Sequence, residues 1–268
     1  MKHTIITISS LLGLMAFGTT NALAVTTAPS TAATPATTSP SNTAVSSTGA
    51  TTKASSAATT AAAAQAQRLT NLQTDGEAQI ESRLTNLTKL TTIITSAKHM
   101  TVADKTTLTS EVTTELSDLT ALQTRLKGET TVTPALADVQ SIFTEFRVYA
   151  LIDPKVRLIK AADDQQTIET TLKGLSTKLQ ARITKDKNAG KDVASMQTTL
   201  DSMKTEITST QAMSSDVETK VVALQPSDYN TDHTILKQYD TELKTAHADC
   251  HVAHKDGLTV INDLKSLK

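Results

Sequence analysis

The chain has 268 residues, 26 basic against 27 acidic side chains, no Trp and only 2% aromatics. With the charges balanced and no basic stripe to neutralise phosphates, nucleic acid is not an expected partner, and the stacking platforms of single-strand and sugar binders are missing. A single cysteine excludes an intramolecular disulfide framework, so stability has to come from helices packed through Leu, Ile, Val and Ala.

The N-terminus carries Lys2 and His3, an apolar stretch from Ile5 to Phe17 and the small-x-small ending Asn21-Ala22-Leu23-Ala24. Residues 1–24 therefore read as a cleaved signal peptide. A retained anchor is the competing reading, but Thr7, Ser9 and Ser10 interrupt a core shorter than the ~20 apolar residues a spanning helix needs. No second run is long enough, so no stable membrane insertion is expected after cleavage, and the chain is expected to be secreted or at the cell surface. Residues 25–58 are almost entirely Thr, Ala, Ser and Pro, with Pro29, Pro35 and Pro40. Such a segment buries too little apolar area to offset ordering and reads as a disordered stalk, either an O-glycosylated spacer or an unmodified tether.

Residues 59–152 are expected to form an N-terminal helical bundle. A first helix starts near Thr60 with Ala61 to Ala64, continues through Leu69, Leu72, Gly76, Ile80, Leu84, Leu87, Thr91 and Ile94, and ends near Lys98. Thr101-Val102-Ala103-Asp104 has the form of a capping box and starts a second helix, with Leu108, Val112, Leu116, Leu119, Leu122 and Leu126 on one face. Gly128 is expected to end it in the left-handed conformation. Thr133-Pro134 then caps a third helix, whose face of Leu136, Val139, Ile142, Phe143, Phe146 and Tyr149 is expected to be the densest core. At Asp153-Pro154 a kink or tight break is slightly favoured over a fresh start.

Residues 153–268 read as a C-terminal three-helix bundle. Val156, Ile159, Ala162, Ile168, Leu172, Leu175, Leu179 and Ile183 carry the first helix to a stop at Asn188-Ala189-Gly190. Two long stripes follow with three-four spacing: Val193, Met196, Leu200, Met203, Ile207, Thr210, Ser214, Val217, Val221, Leu224; then Tyr229, Asp232, Leu236, Tyr239, Leu243, Ala246, Cys250, Ala253, Gly257, Val260, Leu264, Leu267. Only Gln225 to Asp228 separate them, so they should pack antiparallel, seam to seam, with Leu200 near Leu243. The expected fold is all-α: long antiparallel helices in two end-to-end three-helix bundles, a coiled-coil-like rod after the stalk.

The segments Arg83-Leu84-Thr85-Asn86-Leu87-Thr88-Lys89-Leu90, Ala103-Asp104-Lys105-Thr106-Thr107-Leu108, Leu119-Thr120-Ala121-Leu122 and Arg147-Val148-Tyr149-Ala150-Leu151, with Pro154-Lys155 and Ala162-Asp163, resemble a family of uncharacterised exported helical coiled-coil proteins of ultrasmall, surface-attached bacteria (Patescibacteria). The resemblance covers roughly residues 66–165. It implies export and helicity and brings no assigned chemistry, its motif residues reading as packing and capping.

His247, Cys250, His251 and His254 share one helical face or its edge, and imidazole and thiolate at those spacings suit zinc, nickel or copper. Histidines without metal are the plainer reading, with Asp249 and Asp256 as further oxygen ligands or solvated charges. Cys250 lies on the apolar seam: a buried small side chain, the link of a disulfide homodimer, or a metal-bound thiol. No pocket-forming loop or oxyanion donor accompanies it, so no enzyme is expected. The pairs Asp163-Asp164 and Glu77 with Glu81 read as solvated faces. Arg147 and Tyr149 either form a partner-binding patch or, more simply, place Tyr149 in the core with Arg147 lying over it. The expected function is that of a secreted or cell-surface coiled-coil protein in a structural, spacer or protein-binding role, without a cofactor. The alternative is an extracytoplasmic metal-binding protein using the cluster at 247–254. A lipid binder is weaker still, because the stripes are narrow seams.

Overall fold

A computed structural model of the chain describes residues 48–267, with side chains from residue 58. The segment read as a signal peptide and most of the segment read as a stalk lie outside the described residues. The helices are α1 (Thr48–Ser96), α2 (Val102–Gly128), α3 (Val132–Thr144), α4 (Asp153–Asn188), α5 (Ala194–Ala223), α6 (Pro226–Thr231) and α7 (Ile235–Ser266), with a π-helical turn, Val148–Ile152, leading into α4. Among the described residues there is no strand, and no helix is long and apolar enough to cross a membrane. The all-α class read from the periodicity is the class observed.

Helix α1 begins about a dozen residues before the expected Thr60, inside the segment read as stalk. The alanines from Ala54 to Ala64 supply the high helix propensity that carries it upstream. At Thr101 the hydroxyl accepts from the Asp104 backbone N–H at 3.0 Å, as expected of the N-cap. The return half of the capping box is different: the Asp104 carboxylate accepts from the Thr101 hydroxyl, and the Thr101 N–H is left to donate to Asp163 Oδ2 at 3.3 Å. Gly128 is the last residue of α2 and is not left-handed. The end carbonyls are instead covered by the Gln73 amide of α1, which donates to the Leu126, Lys127 and Glu129 oxygens at 3.1, 3.3 and 3.0 Å. Gly190, by contrast, ends α4 at φ 78°, a conformation that favours glycine.

The third helix departs most from expectation. It starts two residues early, with Thr131 at the N-cap, and stops at Thr144. The chain breaks at Glu145–Arg147, where Arg147 adopts a left-handed φ of 36°, and not at Asp153-Pro154. Helical backbone runs continuously through Pro154: Ile152 N–H reaches Arg147 O at 3.3 Å in the wide π turn, which makes room for a proline ring that would otherwise meet the carbonyl four residues back. On α3 the inward positions are Ala135, Asp138, Ser141 and Ile142, which turns Phe143 outward to 44% exposure. Across the break, where the helical phase is reset, Phe146 is buried while Tyr149 is 45% exposed. This segment is therefore not the densest core.

Two apolar clusters fill the interior. The first joins Ile80, Leu87 and Ile94 of α1, Leu108, Leu119 and Leu126 of α2, and Ile142 of α3 to Val156, Ile159 and Ala162 of α4, Val217 and Val221 of α5, and Tyr239 and Leu243 of α7. The second is built from Leu172, Leu179 and Ile183 of α4, Met196, Leu200, Met203 and Ile207 of α5, and Ala253, Val260 and Leu264 of α7. The division expected at residues 152 and 153 is thus no boundary between cores: the first core extends into the helices assigned to the C-terminal bundle. Lys155, 1% exposed, stitches this junction by donating to Glu111 Oε1 of α2 at 2.8 Å and to the Leu224 carbonyl at the end of α5 at 3.0 Å.

The α5 and α7 stripes are buried along their length, and α6 fills the connection where only a turn was expected. Tyr229 and Asp232 consequently lie outside α7, and Asp232 is exposed. Thr210 meets Cys250, and a Cβ on Gly257 would lie 3.2 Å from Met203 Cε, so the antiparallel register pairs positions seven residues further along one helix with seven back on the other. Leu200 therefore belongs to the second core and Leu243 to the first, which corrects their expected proximity.

Candidate functional site

The predicted metal cluster separates into two environments. His247 and His251 sit one turn apart on α7, packed edge to face, with their Nε2 atoms 3.1 Å apart. Burial and the neighbouring His251 lower the His247 pKa, favouring the neutral ring. Cys250 turns the other way, into the bundle. It is 3% exposed, accepts from Gln165 Nε2 at 2.8 Å and donates to Thr210 Oγ1 at 3.7 Å, and burial raises its thiol pKa. A disulfide to a second copy through Cys250 would require α4, α5 and α7 to part. His254 is half-buried on the same helix. Among the described residues, the one set of three or more His, Cys, Asp or Glu ligand atoms that comes together within 4.8 Å is Asp104, Asp163 and Glu218.

Cys250 is part of a buried polar layer between the two apolar cores. Glu169, fully buried on α4, accepts from Ser214 Oγ of α5 at 3.0 Å and from Gln165 Nε2 at 3.2 Å, and Gln165 also reaches the Ala246 carbonyl of α7 at 3.3 Å. Desolvation raises the Glu169 pKa. The layer thus spends its polar groups on one another across three helices.

A third feature lies around the break after α3. Arg83 of α1 is 6% exposed, with its carbon Cζ 4.8 Å from the Phe143 ring centre and 5.2 Å from that of Tyr149. Its Nη1 donates to the Gln79 carbonyl and side-chain oxygens at 2.9 Å each, its buried Nε has no partner, and burial lowers its pKa. The two rings remain about half exposed, and Phe143 also lines a shallow hollow with Ala137, Gln140, Ser141, Thr144 and Glu145. Arg147 does not lie over Tyr149. Its guanidinium covers Tyr229 at 5.4 Å and its Nε donates to Asn230 Oδ1 at 2.7 Å, while Asn230 Nδ2 donates to the Thr144 carbonyl at 2.8 Å. These bonds to α6 hold the left-handed Arg147, a conformation that costs about 1–2 kcal/mol outside glycine.

In the sequence Asp104 has the form of a cap residue and Asp163 that of a solvated charge beside Asp164, so the pattern does not mark them as a site. One signal was available: Asp163 lies seven residues after Val156, on the inward heptad position. In comparisons with known proteins, no family model, no curated protein and no solved structure matches the chain.

Proposed function

We propose that the chain is a secreted or cell-surface helical protein with a structural or protein-binding role, and that its contact surface is the aromatic patch of Phe143 and Tyr149 over Arg83. The observation that carries this reading is the pair of half-exposed rings flanking a buried guanidinium without a carboxylate partner among the described ion pairs. Tyr, Phe and Arg are the side chains that anchor interfaces, and a cation already stripped of water favours a partner segment bearing an acidic side chain. The helical framework holds the patch and no catalysis is assigned to it. The N-terminal sequence supports export.

The test has two arms. Cells expressing the full chain are fractionated and the product is sequenced from its N-terminus: a start at Val25 in the extracytoplasmic fraction is expected, and an intact Met1 product retained inside the cell would overturn export. Surface proteins captured by chemical crosslinking are then compared for the wild type and Phe143→Ser/Tyr149→Ser. Loss of a captured acidic partner in the double variant is expected, whereas identical capture removes the patch.

A second reading, metal binding by the C-terminal cluster, is favoured by the His247–His251 geometry: two imidazole nitrogens one turn apart and about 3 Å from each other suit one zinc, nickel or copper ion. Calorimetric titration with each ion and with His251→Ala tests it, and no saturable heat in the wild type eliminates it.

A further inference from the structure

Asp104 enters from the first turn of α2, Asp163 from α4 and Glu218 from α5, three segments more than fifty residues apart in the chain. Asp104 is 6% and Asp163 2% exposed, and Glu218 is half-buried. One oxygen from each lies within 4.8 Å of the others. None of the three carboxylates takes part in an ion pair among the described residues, and the nearby Lys160 is committed to Asp164 at 2.5 Å. Their hydrogen-bond donors are few: the Thr101 hydroxyl for Asp104, the Thr101 N–H for Asp163 Oδ2 and the Gln166 amide for Glu218.

A separate observation concerns Asp163 itself. Its Oδ1 is buried and has no hydrogen-bond partner at all. An anionic oxygen removed from water with neither donor nor cation is strongly disfavoured, and here its neighbours are further carboxylates. A bound cation or a proton would satisfy it, and no described side chain does.

We propose that Asp104, Asp163 and Glu218 form a binding site for a hard divalent cation, with calcium the ion of best fit, which ties the start of α2 to α4 and α5. Oxygen-only ligands suit calcium, magnesium or manganese rather than the softer metals. Their demands on geometry separate these ions. Calcium accepts irregular sets of carboxylate oxygens at about 2.3–2.6 Å, whereas magnesium demands a near-octahedral shell at about 2.0–2.1 Å. Three carboxylate oxygens from three helices within 4.8 Å of one another suit the more adaptable ion, with water completing its coordination.

A proton on Asp163 is the competing occupant. Desolvation first, and then the charge of Asp104, push its pKa up to about 7, with Glu218 and Asp164 adding to the effect and the Thr101 N–H opposing it. The experiment is therefore run at pH 8, where the proton is largely gone. Chelator-treated full chain is titrated calorimetrically with calcium chloride and magnesium chloride, and its thermal midpoint is read with and without each salt. One calcium per chain, weaker magnesium binding and a raised midpoint with calcium are expected. Asp163→Asn and Glu218→Gln should each lower calcium affinity at least tenfold with helicity retained, while Asp240→Asn, at an exposed ion pair on α7, should leave it unchanged. Glu218→Gln keeps the test open if the more buried variant fails to fold. Absence of saturable calcium binding by the wild type, or binding that survives both variants, overturns the proposal. So does an Asp163→Asn chain that is simply more stable while calcium has no effect on the parent, because the proton alone then holds the site.

Discussion

Cys250 donates its thiol hydrogen to the Thr210 hydroxyl across the α5–α7 interface, at a sulfur–oxygen distance of 3.7 Å. Both residues sit on largely apolar stripes, and the level at which they meet is the level of Gln165, Glu169 and Ser214. Polar groups on three helices are thus satisfied only in one vertical alignment.

Glu169→Ala should destabilise the chain by about 2–4 kcal/mol, since it opens a cavity and leaves the Ser214 hydroxyl and Gln165 amide short of an acceptor. Glu169→Gln keeps the shape and one acceptor oxygen of the side chain and should cost less, about 1 kcal/mol. Urea denaturation of both decides it, and equal losses would show that a side chain of the same shape cannot stand in for the carboxyl.

The Cys250 thiol should react with a disulfide reagent only as fast as the bundle opens. Burial raises its pKa, so the reactive thiolate is scarce as well as inaccessible. Modification followed against urea concentration should track unfolding, and oxidised samples should stay monomeric on non-reducing gels. Rapid labelling in buffer, or a disulfide dimer under native conditions, would refute this placement of Cys250.

Asp163 and Glu115 give the chelator-treated protein an unusual pH dependence. Both carboxyls have pKa values raised to about 7 by desolvation, Asp163 also by Asp104 and Glu115 also by Glu111 and Asp118, with Lys155 opposing the shift at Glu115. The folded chain therefore holds protons that the unfolded chain releases near pH 4, and the contribution of these two groups to stability falls as pH rises from about 4 to 7 and then levels off. Asp163→Asn should flatten part of that fall and raise stability at pH 8, in the absence of calcium, by on the order of 1–2 kcal/mol. Urea midpoints at pH 5 and pH 8 measure it; an unchanged difference between them would rule out Asp163 as a source.

Two glycines should respond in opposite directions. Gly174 is exposed within α4 with nothing near its missing Cβ, so Gly174→Ala should stabilise by about 0.5–1 kcal/mol. A Cβ at Gly76 would lie 2.5 Å from Leu126 Cδ2 and 2.9 Å from Val139 Cγ2, so Gly76→Ala must push α1 away from α2 and α3 and should destabilise by about 1–3 kcal/mol. Thermal unfolding of the pair provides the comparison, and a stabilising Gly76→Ala would mean that this helix contact is looser than described.

The α5 and α7 stripes were legible because helical periodicity is a local property: every residue from Met196 to Val221 and from Tyr239 to Leu264 at the three-four positions is buried. Their mutual register was not, since successive heptads of Leu, Val and Ala are interchangeable and nothing local ties Leu200 to Val260 rather than to Leu243. The outward turn of Phe143 was hidden because the inward face of α3 carries the polar Asp138 beside Ala135 and Ile142, and that of Tyr149 for a reason related to register. A face drawn on an unbroken helix loses its phase at Glu145–Arg147, and the left-handed Arg147 depends on Asn230, which lies far along the chain. Asp104, Asp163 and Glu218 come from three helices whose juxtaposition is decided by tertiary packing, so only the heptad position of Asp163 carried a trace of it.

The buried layer of Glu169, Gln165, Ser214, Thr210 and Cys250 acts as a unique tooth in an otherwise uniform ratchet. Sliding α7 by one heptad against its neighbours would preserve nearly all oil-to-oil contact yet strand the Glu169 carboxyl and the Gln165 amide among hydrocarbon, so misaligned hairpins are rejected during assembly by a handful of atoms. Chains engineered with Leu at all five positions should keep their helicity and lose the single alignment, populating several slipped forms in place of one.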